Sequence, residues 1–195
     1  MTTCSYQNAL LASESRDYVT SVDTQHVSVG QAAVVLETAR FLREHPDADI
    51  QEAAEAARTI AARVQMCFIP KNLDYLRAGG RVSNVVALTG NLLHLHPCIE
   101  IIDGKLMAKK KYRGSLTKLT PMVLHDFDEK HTLDREHLYF IWSPGLTDDV
   151  RTLAEETAQA SGFQRITWMK TGCVITSHGG PGCIGIVGFS TQNKH

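Results

Sequence analysis

The stretch from residue 49 to residue 69 does most to restrict what this chain can fold into. Asp49-Ile-Gln-Glu52 is a capping box: the aspartate accepts from early backbone N–H groups and the glutamate reaches back. Ile50, Ala53, Ala54, Ala57, Ile60, Ala61 and Val64 then recur at helical spacing. A helix with one apolar stripe needs another layer to cover it. Residues 66–69 follow at once as a short apolar run stopped by Pro70, which reads as a buried strand. A capped amphipathic helix leading directly into a buried strand points to a layered α/β fold.

The same alternation extends in both directions. Residues 7–15 read as a short helix and 18–23 as a strand. Ser28-Val-Gly-Gln31 reads as a second capping box, opening a helix with Ala32, Val35, Leu36, Ala39 and Leu42 on one side. A short helix from Leu73 leads into the Gly79-Gly80 break, and 84–93 reads as a largely buried helix. Residues 98–102 and 106–112 flank Asp103-Gly104, a strong two-residue hairpin signal. The last third predicts a β-α-β unit. Residues 138–142 are nearly all apolar, as a doubly covered parallel strand should be. Thr147-Asp-Asp opens a helix ending at Ser161-Gly162, and 165–170 returns as a strand. Residues 174–176 and 184–189 complete the sheet. The expected division falls between residues 66 and 84, giving segments 1–70 and 71–195.

Bulk properties exclude several classes of function. The 195 residues are 43% hydrophobic and 21% charged, with a formal net charge of −1, which argues against nucleic acid as the main partner. The one basic run, Lys109-Lys110-Lys111-Tyr112-Arg113, reads as a solvated strand face. Five cysteines without a C-x-x-C pair read as reduced thiols packed as small hydrophobes. No basic stretch with a following apolar run opens the chain, and no segment is long and apolar enough to span a bilayer. A soluble, cytoplasmic protein is expected.

Two glycine-flanked donors carry the chemistry. Arg81 follows Gly79-Gly80, and His178 precedes Gly179-Gly180-Pro-Gly182. Missing side chains at these glycines let backbone approach a neighbour or a ligand. An arginine and a histidine with little else ionisable nearby suit an anion such as a carboxylate. Each also has a plain structural reading, as a helix C-cap and as a tight turn between strands. The second run lacks a P-loop lysine and opens no helix, which disfavours a nucleotide. His94-Leu-His96 lacks further ligands at metal spacing. Ser177 beside His178 on a strand would point to the opposite face, which disfavours a hydrolase. No catalytic residue, metal or cofactor is expected.

Several ordered motifs together resemble the DegV family of bacterial fatty-acid-binding proteins over nearly the whole chain. Leu73-Asp-Tyr-Leu-Arg-Ala-Gly-Gly-Arg-Val-Ser83 is similar to the family's helix-to-Gly-Gly-Arg segment. Residues 97–114 resemble its central hairpin, 176–185 its His-x-Gly-Pro-Gly signature, and 6–14 the helix after its Ser-Gly-Thr turn. The resemblance implies a two-domain α/β architecture. The first domain is incomplete here, and the second is a mixed sheet with helices on its faces. It further implies one long-chain fatty acid in an apolar tunnel, with residues 85–93 as tunnel wall. Arg81, His178, Thr3 and Ser5 would meet the carboxylate, with Gly79, Gly80, Gly179, Gly180 and Gly182 as loop backbone. Cys4 replaces the glycine between Thr3 and Ser5. A separate ATP-dependent kinase of the dihydroxyacetone-kinase type would phosphorylate the bound acid, so the chain itself would be no enzyme.

The energetics of such a site are reasonable. Burying about 14 methylenes at roughly 0.8 kcal/mol each gives on the order of 11 kcal/mol before association costs. An unpaired buried carboxylate would cancel several kcal/mol, so a cation and hydroxyls must meet it. Family members carry further chain before the point where this one starts. Half of the first domain's sheet is therefore expected to be missing, exposing apolar faces of the two long helices. Two rivals are a kinase subunit binding a small dihydroxyacetone-like carbonyl compound, and a truncated fragment that binds nothing.

Overall fold

The structure, a computed structural model, describes residues 4–81 and 95–191. Thirteen elements alternate along them: α1 (Ser5–Ser13), α2 (Ser28–Glu44), α3 (Ile50–Arg63), β1 (Val64–Ile69), α4 (Asp74–Ala78), β2 (Leu95–Ile102), β3 (Lys105–Arg113), α5 (Leu116–His131), β4 (His137–Trp142), α6 (Asp148–Ala160), β5 (Arg165–Lys170), α7 (Cys173–Gly179) and β6 (Ile184–Phe189). The strands form one mixed sheet in the order β3-β2-β1-β6-β4-β5. Only β4 and β5 run parallel, as the β-α-β connection through α6 demands; every other pairing is antiparallel. The α/β class is the expected one. The expected division at residue 70 falls inside this sheet, because β1 pairs with β2 on one side and β6 on the other.

Local chemistry explains the best-defined elements. Asp49 Oδ1 accepts from the Gln51 and Glu52 N–H groups (2.8 and 2.9 Å), and Glu52 Oε2 accepts from the Asp49 N–H (2.9 Å). Asp103 and Gly104 both have positive φ (49° and 67°), the twist that lets a two-residue turn join β2 to β3. Gly162, with φ 85°, ends α6.

Strand alternation sorts the core onto two faces. On one, Cys67, Ile69, Leu138, Phe140, Ile184 and Ile186 meet α5 and α6 through Leu119, Val123, Leu124, Phe127, Val150 and Ala154. On the other, Met66, Ile101, Tyr139, Ile141, Val187 and Phe189 meet α2 and α3 through Val29, Ala33, Val34 and Ala61. Trp142 and Trp168 pack at the edge of the first face, under the Arg151 guanidinium.

Three local expectations are corrected. Residues 18–23 form no strand, because nothing among the described residues pairs with them. Ser28 makes no capping box: Val27 is the N-cap of α2, without a side-chain cap, and Ser28 has φ 54°. The apolar stripe read on α2 is left exposed at Val35, Leu36 and Leu42, in line with the expected exposed helix faces, while Val29, Gly30, Ala33 and Val34 pack on the sheet. Residues 174–176 belong to helix α7, not to a strand. Helix α5 falls on a stretch with no sequence expectation, and it accommodates Pro121 inside it. The expected helix 84–93 lies outside the described residues.

Candidate functional site

The two glycine segments converge, and the glycines are the reason they can. The His178 imidazole lies so close to Gly79 that a Cβ there would stand 2.2 Å from Nδ1. Reciprocally, a Cβ on Gly180 (φ 82°) would stand 2.8 Å from the Tyr75 ring. Helices α4 and α7 thus interlock, each inserting a ring against the other's glycine. Nδ1 of His178 is shut off from water and has no hydrogen-bond partner among the described residues.

Arg81 owes its position to the end of α4. Gly80 (φ 67°) turns the chain, its N–H donates to the Arg77 carbonyl, and the Arg81 N–H donates to the Leu76 carbonyl (2.9 Å). The helix-cap reading of this segment is therefore correct, and it places the arginine. The guanidinium Nη1 donates to the Gly79 carbonyl, which leaves further donors of an exposed side chain for another acceptor. The 180–183 turn is held by Ser143, whose hydroxyl donates to the Gly180 carbonyl (2.7 Å) and accepts from the Cys183 N–H (2.8 Å). Ser143 is 1% exposed, and no sequence pattern marks it. Gly182 (φ 72°) donates its N–H to the Pro144 carbonyl (2.9 Å), while Gly179 has open space around it.

Arg81 and His178 border one cavity of about 300 Å³. Its floor is the second face of the sheet, through Met66, Phe68, Ile101, Leu106 and Ile141. Leu76 of α4, Val174 and Ile175 of α7, and Val27, Ser28 and Gln31 at the start of α2 form its walls. Ser5 at the start of α1 borders it as well, so three of the four expected ligand residues stand on one space. Thr3 lies outside the described residues, as does the expected 85–93 wall. The floor that the structure does show lies on strands read from the sequence as runs at 66–69, 98–102 and 106–112, none of which was assigned to the site. Thr171 adds a hydroxyl, which shares a hydrogen bond with Thr176 (2.7 Å).

Placing His178 in a helix removes the strand argument used against a Ser177 nucleophile. Another takes its place, since the Ser177 hydroxyl donates to the Cys173 carbonyl (2.8 Å). His96 stands 3.5 Å from the Pro70 carbonyl, and no group of three or more metal-ligating side chains occurs among the described residues. No helix among them is long and apolar enough to cross a membrane.

Fold and cavity together define an α/β protein with a mostly apolar chamber against one sheet face and a few polar groups around it. The chain belongs to the DegV family: the model of that family of uncharacterised proteins matches residues 2–191. A fatty acid-binding protein of Thermotoga maritima is 29% identical over 185 residues, covering 92% of this chain and 62% of its own. A Thermus thermophilus DegV protein, solved for its fatty acid binding, superposes with a TM-score of 0.82 at 26% identity, over 97% of this chain and 67% of that one. The Streptococcus pneumoniae Fatty Acid Kinase (Fak) B3 protein loaded with linoleic acid shares the fold, with a TM-score of 0.79 at 16% identity over 97% of this chain and 68% of that one. The chain spans 62% to 66% of the first three curated relatives it matches.

Proposed function

We propose that this chain binds one long-chain fatty acid, with the acyl chain on the Met66, Phe68, Ile101, Leu106 and Ile141 floor and the carboxylate at Arg81 and His178. Ser5 and Thr3 supply hydroxyls. Loop backbone at Gly79, Gly80, Gly179, Gly180 and Gly182 allows the close approach. One observation carries the reading: an arginine and a histidine almost a hundred residues apart border one apolar cavity. The named fatty-acid binding of the Thermotoga and Thermus relatives supports it. The apolar lining favours a lipid over a small carbonyl compound, which would need polar partners on most sides.

The protein is a binding subunit and not an enzyme. It presents its acid in the cytoplasm to a separate ATP-dependent kinase of the dihydroxyacetone-kinase type, which makes the acyl phosphate. The kinase-named pneumococcal protein of the same fold motivates this second step. The first step is tested by native mass spectrometry of the purified chain after organic extraction controls. Arg81→Ala should lose co-purified fatty acid, while Lys110→Ala should keep it, because Lys110 lies on the α5 side of β3, paired with Asp126, and not on the cavity. Stoichiometric acid retained by Arg81→Ala would refute the site.

A further inference from the structure

We propose that Cys67 and Cys98 form a two-coordinate binding site for a soft monovalent metal ion, copper(I), on the α5 side of the sheet. The two residues sit on neighbouring strands, β1 and β2. Cys67 stands opposite Glu100, two residues along β2 from Cys98, so both side chains leave the same face. They belong to one core cluster, with Cys67 fully buried and Cys98 4% exposed, and their thiols interact. The pair is made across strands, so no C-x-x-C spacing marks it in the sequence. Of the other cysteines, Cys4 and Cys173 are exposed and Cys183 borders the cavity on the opposite side.

The register favours an ion between the sulfurs over a bond between them. Same-face residues offset by two across a strand pair stand about 7–8 Å apart. A disulfide joins Cα atoms only up to about 7 Å without backbone movement. Two sulfurs with one ion between them span more. The surroundings supply no further ligand. Lys130 Nζ donates to both Glu100 carboxylate oxygens (2.6 Å), with His131 Nε2 3.3 Å from Oε2, and the Tyr112 hydroxyl donates to Asp126 (2.6 Å). No group of three or more metal-ligating side chains occurs among the described residues, which removes tetrahedral zinc and iron–sulfur clusters. Two thiols without a third ligand suit copper(I), a soft ion that accepts linear coordination by sulfur.

An entry path leads to the pair. Cys98 borders an open cleft of about 520 Å³ between β2, β3 and α5, together with Tyr112, Asp126, Phe127 and Lys130. The β2–β3 pairing slips at this point: Cys98 pairs with Lys110 and Ile99 with Ala108, which leaves Lys109 as an extra residue. That bulge loosens the ladder beside Cys98. A gap of about 10 Å³ beside Cys67, bordered by Ile69, Val123 and Ile186, gives its side chain room to turn toward an ion. Binding replaces the two thiol protons, which leave to solvent, by one copper(I), and no electron is transferred. The site lies across the sheet from the cavity assigned to the fatty acid and does not depend on what that cavity holds.

The test uses the reduced chain with its exposed thiols removed by Cys4→Ser and Cys173→Ser. Copper(I) is titrated anaerobically against the chelator bicinchoninate. One equivalent should be held by the protein, with an ultraviolet sulfur-to-copper charge-transfer band and an X-ray absorption spectrum that fits sulfur neighbours alone. In this background Cys67→Ala and Cys98→Ala should each lower the copper affinity by about a hundredfold or more, because either change removes half of the ligand set. Circular dichroism identifies which of these variants are folded, and the X-ray absorption readout does not depend on them. Failure to hold copper against the chelator overturns the proposal, as does a nitrogen or oxygen ligand in the absorption spectrum. So does an unchanged affinity in either folded alanine variant.

Discussion

The two faces of the sheet are built from the same strands and end up with opposite properties. Under α5 and α6, Leu138 and Phe140 are fully buried, and the Phe140 ring stacks on Trp168 at 4.5 Å. On the other face the neighbouring positions of the same strand are His137, Tyr139 and Ile141. There the core closes around Tyr139 and Val187, but it leaves a cavity toward α4 and α7 and a charged cleft at the other end. Packing to full density serves stability, and a chamber gives up some of it to hold something else. One-residue alternation is thus enough to give a single strand a structural side and a binding side.

The largest expected effect breaks the filled side. Phe140→Ala should cost about 3–5 kcal/mol of unfolding free energy in urea denaturation, because the surrounding helices cannot collapse onto the gap. Phe68→Ala, half-buried on the cavity floor, should cost roughly half as much or less, since an opening already exists there. Equal losses would mean that the chamber is as tightly packed in solution as the opposite core.

How far the sequence revealed this arrangement depended on whether the decisive chemistry was local. Helix α3, the β2–β3 hairpin and the β4-α6-β5 unit follow from caps, an Asp-Gly turn and apolar runs within each segment. Helix α7 does not: Val174-Ile-Thr is β-branched and reads as a strand, yet tertiary packing against α4 makes it helical. The stripe on α2 is periodic as read, but periodicity does not say which of two apolar sides meets the sheet, and the buried side is Val29, Gly30, Ala33 and Val34. At the site, Arg81 and His178 stood out through their glycine neighbours. Tyr75 and Ser143, which fix those segments, carry no local mark at all, since their roles exist only once α4, β4 and α7 are together.

The interlock of α4 and α7 allows a sharper probe of the binding side. Gly79 has a helix-compatible backbone (φ −77°, ψ 0°), so alanine there is opposed chiefly by the His178 ring, with the Tyr75 carbonyl oxygen next at 3.2 Å. Gly79→Ala should displace the imidazole and reduce retained fatty acid at least tenfold, with little change in the urea midpoint. Gly172→Ala meets nothing within 4 Å and should leave both unchanged. If Gly79→Ala kept its lipid, His178 would be a packing residue and the carboxylate would rest on Arg81 without it.

The smallest effect comes from the charged end of the same face. His137 is buried, its ring packs 3.9 Å from Tyr139, and its Nε2 shares a hydrogen bond with Thr167 Oγ1 (2.8 Å). Glu37 Oε1 stands 3.7 Å from Nδ1. Burial, reinforced by the nearby Arg165 and Arg40 guanidinium groups, pushes the imidazole from its ordinary 6.5 down to about 4. The folded protein therefore resists a proton that the unfolded chain accepts. Between pH 6.5 and pH 4 the unfolded state binds more protons, so stability falls as the pH drops through that window and this contribution levels off below it. His137→Gln, which can still hydrogen-bond Thr167, should flatten the part of the profile between pH 7 and pH 5, where carboxylates contribute least. Urea midpoints at pH 7, 6 and 5 measure the difference between the two proteins. A difference constant across that range would mean that His137 titrates normally, and that this end of the face is open to water like the chamber at the other end.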